Sequence, residues 1–347
     1  MSYERLHRRL TEPDSCTAVT LPDGSIDTDY RVVGGRDNVL ETREEFIDWM
    51  TDPKTSSCRL VRQAERMGGQ AVNTARQCSA LRDDVTLYGH LDDPIFDSLP
   101  FETRSMGEPA QVMVFDFEDD KLMMAETSGD IRGWSTPDLY AHPDADATLR
   151  SADGILLANW VSFPEMDRVL CDLADRPLGS ATVLFDPGDL TESDPDTIGE
   201  LAASLRRLAG AHDVVFSANE DEMAYVLDAI ELDGATMRER VGALRADLGL
   251  LGAVIHDVEY AFAATATGRR RVPNLTARRI RRRAGAGDRF NGGLLHGLGV
   301  DWDWELSLTL GNACASYYVE NGETGTREAL RSFLKSRMDD GEPSVPR

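Results

Sequence analysis

One segment joins a glycine-rich turn to an acidic residue at the start of a predicted helix: Gly285-Ala286-Gly287-Asp288. The backbone N–H groups at such a helix start form an anion site without any lysine. If a phosphoryl group binds there, Asp288 is placed to accept a proton from an attacking hydroxyl. The alternative is that Asp288 only caps the helix.

A second segment places acidic residues directly after a strand predicted over 213–216. It reads Ser217-Ala-Asn219-Glu-Asp-Glu222. The carboxyl ends of parallel strands are where α/β sheets bind ligands, and hard oxygen ligands suit Mg²⁺ held partly through water. The alternative is a well-capped helix, with Asn219 as N-cap and acidic residues in its first turn.

A third segment, Gly68-Gly69, leads into a helix predicted over 69–81 and permits a hinge close to a small polar ligand. Asn73, on the first turn of that helix, can hydrogen-bond hydroxyl groups. Upstream, Asp29 lies in the stretch 21–31, which we interpret as the end of the first strand. Asp29 is either a ligand for a pair of substrate hydroxyls or one of many surface carboxylates.

Short apolar runs alternate with amphipathic stretches after residue 150, which predicts a parallel sheet covered by helices. The predicted strands are 154–158, 181–185, 213–216 and 252–255, and the predicted helices are 195–209, 219–231 and 235–248. Before residue 150 the pattern is less regular. There, a strand over 85–88 follows the helix at 69–81, and 108–127 alternates like a hairpin turned at 118–120. We interpret 30–66 and 108–127 as a small β appendage inserted into the main sheet domain.

The charge balance excludes several classes of protein. The 347 residues contain 61 Asp and Glu against 37 Lys and Arg, a net charge of −24, so nucleic acid is a poor partner. Only three of the basic residues are lysines, which favours a surface built for concentrated salt over that of an acidic mesophile protein. No stretch is apolar enough for a membrane span or a secretion signal, so we expect a cytoplasmic protein.

The cysteines and histidines show no metal-binding spacing. Five scattered cysteines without a CxxC pair, and six histidines without HxxxH, indicate reduced thiols and argue against a transition-metal centre.

Taken in order, these segments resemble the ribokinase-like PfkB family of carbohydrate kinases over residues 21–325. The similar motifs are Gly24-Ser25-Ile26-x-x-Asp29, Gly68-Gly69-x-x-x-Asn73, Asn219-x-x-Glu222 and Gly285-Ala-Gly-Asp288. The resemblance implies an α/β fold, a three-layer α/β/α sandwich with a mostly parallel sheet and a small β-sheet lid. The expected core is 15–29, 67–104 and 128–335, the lid is 30–66 and 105–127, and 336–347 is a loose tail.

The resemblance also implies a kinase that moves the γ-phosphoryl of ATP to a hydroxyl of a sugar, sugar acid or sugar phosphate. A nucleoside kinase, an ADP-dependent sugar kinase and a non-catalytic nucleotide- or sugar-binding regulator are the alternatives. A homodimer through the lid is also implied.

The implied roles can be assigned residue by residue. The implied catalytic base is Asp288, and the implied anion hole is formed by Gly285, Ala286 and Gly287. The substrate would be bound by Asp29, Gly68, Gly69 and Asn73, with Gln111 and Asn159 as further contacts to the acceptor substrate. The nucleotide would be bound by Asn219, Asn312 and Arg283, and Mg²⁺ would be held through water by Glu222 and Asn219.

Three departures from the family pattern limit these assignments. Arg282-Arg283-Ala284 stands where Asp-Thr-Thr is common, which argues against a monovalent-cation site. Gln70 replaces the usual lysine, and no carboxylate lies around Asn159, so ribose is not implied.

Eight arginines lie between residues 269 and 283 with no acidic residue among them. They either contact phosphates, or form a strand pair neutralised by acidic neighbours or an oligomer contact.

Overall fold

The structure is a computed structural model and describes residues 2–35, 38–55, 57–118 and 121–340. These residues form the following strands: β1 (Thr17–Leu21), β2 (Ser25–Val33), β3 (Arg59–Gly68), β4 (Asp84–Gly89), β5 (Glu102–Ser105), β6 (Ala110–Asp116), β7 (Lys121–Glu126), β8 (Gly154–Ala158), β9 (Thr182–Asp186), β10 (Asp213–Ala218), β11 (Gly252–His256), β12 (Tyr260–Thr265) and β13 (Gly268–Pro273).

The same ranges contain the following helices: α1 (Ser2–Arg9), α2 (Arg43–Thr51), α3 (Gln70–Ala80), α4 (Gly129–Gly133), α5 (Thr136–Tyr140), α6 (Ala145–Ser151), α7 (Met166–Ala174), α8 (Pro195–Ala209), α9 (Glu220–Ala229), α10 (Met237–Leu248), α11 (Ala286–Gly299), α12 (Trp304–Asn321) and α13 (Arg327–Asp339). None of them is both long enough and apolar enough to cross a membrane.

The strands form a large and a small sheet. The large sheet has the order β13-β12-β11-β10-β9-β8-β1-β4-β5. Its strands are parallel from β5 to β11, while β12 and β13 are antiparallel additions at one edge. The small sheet has the order β3-β2-β6-β7. These two sheets confirm the predicted parallel core and β appendage.

Alternating side chains of the central strands point into two separate helical layers. Ile155 and Leu157 pack in one apolar core with α7, α8, α9 and α10. Leu156 and Ala158 pack in the other, with α3, α11 and α12. Because successive strand residues face opposite sides, a strand that is apolar throughout must be covered on both faces. The three-layer α/β/α sandwich is confirmed.

The small sheet, which we call the lid, has a core of its own. Helix α2 lies on it through Phe46, whose ring centroid is 5.8 Å from that of Phe115 and 5.5 Å from that of Phe117. The predicted hairpin over 108–127 is β6 and β7, which pair antiparallel. Residues 119 and 120 of its predicted turn lie outside the described residues.

The predicted boundaries need two corrections. The first strand ends at Leu21, and Ser25–Val33 is a separate strand of the lid, so residues 25–29 belong to the lid rather than to the core. Helix α13 continues to Asp339, with Leu334 fully buried, so the predicted loose tail does not begin at 336. Because Leu330 and Leu334 are buried, α13 is held against the core and the helix continues past residue 336, which composition alone does not predict. The rest of that predicted tail, 341–347, lies outside the described residues.

Helix α11 touches α12 without intervening side chains. A Cβ added at Gly293 of α11 would lie 2.9 Å from the Cα of Gly311 on α12. Only glycine allows the two backbones to approach this closely. The contact fixes the position of α11, whose first turn carries Asp288.

We expect Gly293→Ala to destabilise the protein, because the added methyl group meets backbone atoms that cannot move aside. The expected loss in the free energy of unfolding is about 1–3 kcal/mol. Denaturant unfolding followed by circular dichroism measures it. The matched control is Gly199→Ala on the exposed face of α8, where an added Cβ meets nothing within 4 Å and stability should stay unchanged or rise. Equal effects of the two variants would contradict the close helix contact.

Candidate active site

Several polar side chains converge at the carboxyl ends of the parallel strands. The turn after β1 carries Asp23, β8 is followed by Asn159, and β9 ends in Asp186. The first turn of α11 is adjacent, because the side chain of Asn291 on that helix donates to Asp186 Oδ2 over 2.6 Å. This is the edge at which open α/β sheets bind their ligands.

Asp288 is a buried carboxylate with few partners. It is 8% exposed, and its Oδ2 accepts a hydrogen bond from Asn73 Nδ2 over 2.8 Å. The helix cap is Gly285, with a left-handed φ of 87°, so the alternative that Asp288 caps the helix is wrong. Burial raises the pKa of Asp288 to about 7, with Asp186 adding to the rise while Arg289 and Asn73 oppose it. A carboxylate that titrates near neutrality is suited to general-base work.

The backbone amides beside Asp288 form only part of the predicted anion hole. The N–H of Ala286 donates to the carbonyl of Arg283 over 3.0 Å and is therefore engaged. The amides of Gly287 and Asp288 have no backbone acceptor among the described residues. The amide of Gly285 likewise has no backbone acceptor there. Of the predicted set Gly285, Ala286 and Gly287, only Ala286 is therefore engaged, and Asp288 adds a further open donor at this helix start.

Asn219 and Glu222 form a reciprocal helix cap. The Asn219 side chain accepts from the Glu222 amide over 2.9 Å, and Glu222 Oε2 accepts from the Asn219 amide over 2.9 Å. The capping alternative is thus confirmed, and it engages the Oδ1 atom of Asn219. Glu222 has a second property: burial, followed by the charge of Asp186, raises its pKa to about 8.

Asp186 is the acidic partner of Glu222, and sequence reasoning missed it. Its Oδ1 accepts from Gln70 Nε2 and from the Gly188 amide, both over 3.0 Å, and its Oδ2 accepts from Asn291. Burial raises the pKa of both carboxylates, and the charge of Asp186 raises that of Glu222 further. Such a buried pair fits a divalent cation, which would favour the ionised form of both. Asp186 directly follows the predicted strand 181–185, so the rule that selected residues 217–222 could also have found it.

Asp23 was missed as well, because Asp29 matched the motif spacing. The Asp23 carboxylate accepts hydrogen bonds from the amides of Gln70 and Ala71 over 2.8 and 2.6 Å, and from Asn159 Nδ2 over 3.0 Å. These bonds therefore connect the segment before β2, where the chain enters the lid, to the start of α3, which follows β3 of the lid. The Nδ2 group of Asn159, which was predicted to contact the acceptor substrate, is engaged in this bond.

The lid brings two further carboxylates to one face of β2. Asp29 is paired with Arg66 of β3, so the predicted substrate ligand already has a cationic partner within the lid. Asp27 accepts from the Ser25 hydroxyl over 2.8 Å. Burial raises the pKa of Asp27, and the charge of Arg282 opposes this rise. Of the two carboxylates, Asp27 is therefore the one that interacts electrostatically with the loop before α11.

Gly68 and Gly69 lie at the lid-to-helix junction as predicted, beside Asp27 and Asp23. A Cβ at Gly68 would lie 2.2 Å from Asp27 Oδ1, and one at Gly69 would lie 3.3 Å from Asp23 Oδ2. Gln111 is exposed and falls opposite Ile26, on the face of the lid away from Asp27. The structure does not bring Gln111 together with the other predicted residues.

The predicted nucleotide contacts are only partly supported. Asn312 is 1% exposed and donates to the carbonyl of Val272 over 3.2 Å, so it holds α12 against β13 and is closed to a ligand. Arg283 is exposed, and only its carbonyl has a described contact. The side chain of Asn219 is committed to the helix cap.

The arginines between residues 269 and 283 do not all have the same surroundings. Some make structural contacts, and others lie near the loop before α11. Arg278 pairs with Asp340 over 2.7 Å, which supports the alternative of neutralisation by acidic neighbours for this residue. Arg279 donates to the backbone carbonyl of Glu320 over 3.1 Å and so has a structural contact. Arg282 instead lies over the ring of Tyr318, 6.0 Å from its centroid. The hydroxyl of Tyr318 donates to the carbonyl of Ala284 over 3.1 Å, immediately before the anion hole.

Comparison with known proteins gives a consistent result. A family model described as prokaryotic ketohexokinase matches residues 29–337. A ketohexokinase from Haloferax volcanii is 26% identical over 351 residues, covering 91% of this chain and 90% of that protein. The organism of this relative agrees with the acidic, lysine-poor composition.

Solved structures agree on the fold. Ribokinase from Arabidopsis thaliana, complexed with ribose and ATP, has a TM-score of 0.68 at 17% identity, covering 92% of this chain and 99% of the other. Ribokinase from Thermotoga maritima has a TM-score of 0.66 at 16% identity, again covering 92% and 99%. Nucleoside kinase from Burkholderia thailandensis, in complex with inosine, has a TM-score of 0.66 at 18% identity, covering 92% and 98%. The fold is therefore ribokinase-like.

The raised pKa of Glu222 predicts a pH-dependent gain in stability for Glu222→Gln. The folded protein keeps the carboxyl protonated up to about pH 8, whereas the unfolded chain loses that proton near the ordinary value of 4.5. The free energy of unfolding therefore falls as pH rises through this window. Glutamine keeps the capping oxygen and cannot ionise, so the variant should be more stable by roughly 1–4 kcal/mol at alkaline pH and equal to the native chain at acidic pH.

Denaturant unfolding at a series of pH values measures this difference. Glu200→Gln on the exposed face of α8 is the matched control and should show no such trend. A parallel trend in both variants would contradict the buried, acidic setting of Glu222.

Proposed function

The chain belongs to the prokaryotic ketohexokinase family, and we propose that it transfers the γ-phosphoryl group of ATP to a hydroxyl of a ketohexose. The observation that carries the proposal is the arrangement around Asp288. A buried carboxylate with a pKa near 7 lies beside two open backbone amides, and the acidic pair Asp186 and Glu222 lies at the same sheet edge. A base, an anion site and a cation site together are what phosphoryl transfer to a hydroxyl requires.

In the proposed reaction, Asp288 takes the proton of the acceptor hydroxyl as its oxygen attacks the γ-phosphorus. The new bond joins that oxygen to phosphorus, and the bond between phosphorus and the β,γ-bridging oxygen breaks to leave ADP. The amides of Gly287 and Asp288 stabilise negative charge on the transferring group. Asn73 holds the Asp288 carboxylate in place from α3.

Asp186 and Glu222 would hold Mg²⁺, directly or through water. The ion supplies charge neutralisation for the nucleotide phosphates. Asn219, assigned to this task by the motif, acts instead by fixing Glu222 through the reciprocal cap. Arg282, half-buried and facing the site, is the arginine of the 269–283 segment best placed to meet an anionic ligand.

The acceptor sugar would lie between the lid and the hinge. Asp27 offers a carboxylate there, and Gln70 Oε1 is buried without a hydrogen-bond donor among the described residues. A Cβ at Gly188 would lie 3.3 Å from Asn159 Oδ1 and 3.4 Å from Gln70 Oε1, so these two acceptor atoms border one space. A polyhydroxylated sugar supplies the O–H donors that such atoms lack.

Asp288→Asn is expected to abolish phosphoryl transfer while nucleotide binding is kept. Asparagine has nearly the same shape but cannot take the proton, so kcat should fall by about a hundred-fold or more. A coupled ADP-release assay in molar KCl with Mg²⁺, across ketohexoses, aldoses, pentoses and nucleosides, measures turnover, and isothermal titration measures nucleotide affinity. The matched control is Asp221→Asn, an exposed carboxylate on α9, which should leave turnover unchanged. Full activity of Asp288→Asn would exclude Asp288 as the base.

Asp27→Asn and Asp29→Asn distinguish the two lid carboxylates. A charge-assisted hydrogen bond to a sugar hydroxyl is worth about 1.5–3 kcal/mol, so loss of the Asp27 charge should raise KM for the sugar roughly ten-fold or more. Asp29→Asn removes an ion pair with half-exposed Arg66 and should change KM little. Steady-state kinetics with varied sugar measures both. The opposite ranking would return the substrate-binding role to Asp29.

A further inference from the structure

A buried cluster of different chemistry lies away from the active site, at the amino-terminal ends of the strands. It contains Cys16, which precedes β1, Asp83, which precedes β4, and His296 on α11. The side chains of Asp83 and His296 have no exposed surface, and Cys16 is 4% exposed. One ligand atom of each residue, a sulfur, a carboxylate oxygen and a ring nitrogen, lies within 4.8 Å of the others.

The hydrogen bonds in this cluster leave polar atoms without partners. Asp83 Oδ1 lies 2.8 Å from His296 Nδ1 and accepts from the Cys16 amide over 3.0 Å. Asp83 Oδ2 and His296 Nε2, however, are buried and have no partner among the described residues. A carboxylate oxygen that is removed from water without a hydrogen bond costs free energy that a core normally avoids.

We propose that Cys16, Asp83 and His296 bind a divalent metal ion of the zinc class. Thiolate, imidazole and carboxylate are the donors that Zn²⁺ uses in proteins, and Cys and His together favour it over Mg²⁺ or Ca²⁺. With Cys16 ionised, two negative side chains and one doubly charged cation make the cluster neutral, and the unpartnered Asp83 oxygen gains a ligand bond.

Metal binding would change the protonation of Cys16. Burial and the neighbouring Asp83 raise the pKa of this thiol far above its usual range, so the metal-free cluster keeps the S–H bond. When the ion binds, the thiol proton is released to solvent and a metal–sulfur bond replaces it.

The role of the ion would be structural. Asp288 lies on the first turn of α11 and His296 lies eight residues later on the same helix, about 12 Å along its axis. An ion bound to Cys16, Asp83 and His296 would connect α11 to the starts of two central strands. Its distance from Asp288 separates it from the Mg²⁺ pair Asp186 and Glu222.

Metal analysis of the intact chain tests the proposal. The protein is produced with added zinc, passed through a metal-free desalting column, and measured by inductively coupled plasma mass spectrometry. We expect about one zinc per chain in the native protein. Cys16→Ser and His296→Gln should contain at most about one tenth of that amount, because each loses a ligand. Cys171→Ser, a half-buried cysteine outside the cluster, is the matched control and should retain the full amount.

A second measurement covers the outcome in which the buried variants do not fold. The native chain is refolded with Co²⁺ in place of zinc, and the near-ultraviolet absorption of a cobalt–thiolate bond is recorded. Its appearance, together with a lower thermal midpoint after strong chelation, supports the site. Absence of this band, or a native zinc content no higher than that of Cys16→Ser, would overturn the proposal and leave the cluster as a metal-free packing contact.

Discussion

The site depends on one constraint: four carboxylates are buried together at the edge of the large sheet. Asp23, Asp186, Glu222 and Asp288 are each less than 9% exposed. Burial raises the pKa values of all four, and neighbouring carboxylates add to the rise for Glu222 and Asp288. Hydrogen bonds from backbone and side-chain amides hold the four in place. Without such donors, the repulsion between buried carboxylates at low dielectric would destabilise this edge of the sheet. The glycine-rich turns and helix starts supply many of these donors.

The surrounding fold keeps those donors aligned. Helix α11 lies between α3 and α12, so that Asn73 reaches Asp288 from one side and Tyr318 reaches the loop before the helix from the other. The close approach of Gly293 and Gly311 determines how far α11 can shift. The Asp288 carboxylate at the helix start is thus positioned by a contact five residues further along α11, which a local motif does not reveal.

Sequence reasoning predicted the residues whose role follows from local spacing. The parallel core, the helix over 195–209 and Asp288 at a helix start all follow from periodicity and glycine placement. Sequence reasoning predicted less well which side chains reach the site, because contacts between distant segments of the chain determine this. Asp29 fits the motif but is paired with Arg66, while Asp23 and Asp186 become visible only when distant segments meet. Asn312 is wrong as a nucleotide ligand because strand β13 occupies its amide. Likewise, spacing rules for cysteine and histidine cannot find Cys16, Asp83 and His296, which lie far apart in the chain.

The junction of lid and core has a mechanical consequence. The chain enters the lid at Gly24 and leaves the first lid segment at Gly69, and a Cβ at Gly69 would lie only 2.9 Å from the Cα of Gly24. The connections before β2 and after β3 therefore pass through nearly the same point, about which these two strands could rotate together. Strand β2 extends about 30 Å from this point, so a rotation of about 10° there displaces the far end by roughly 5 Å. A small torsional change at the two glycines would therefore move the far end of the lid much further than the buried carboxylates beside them.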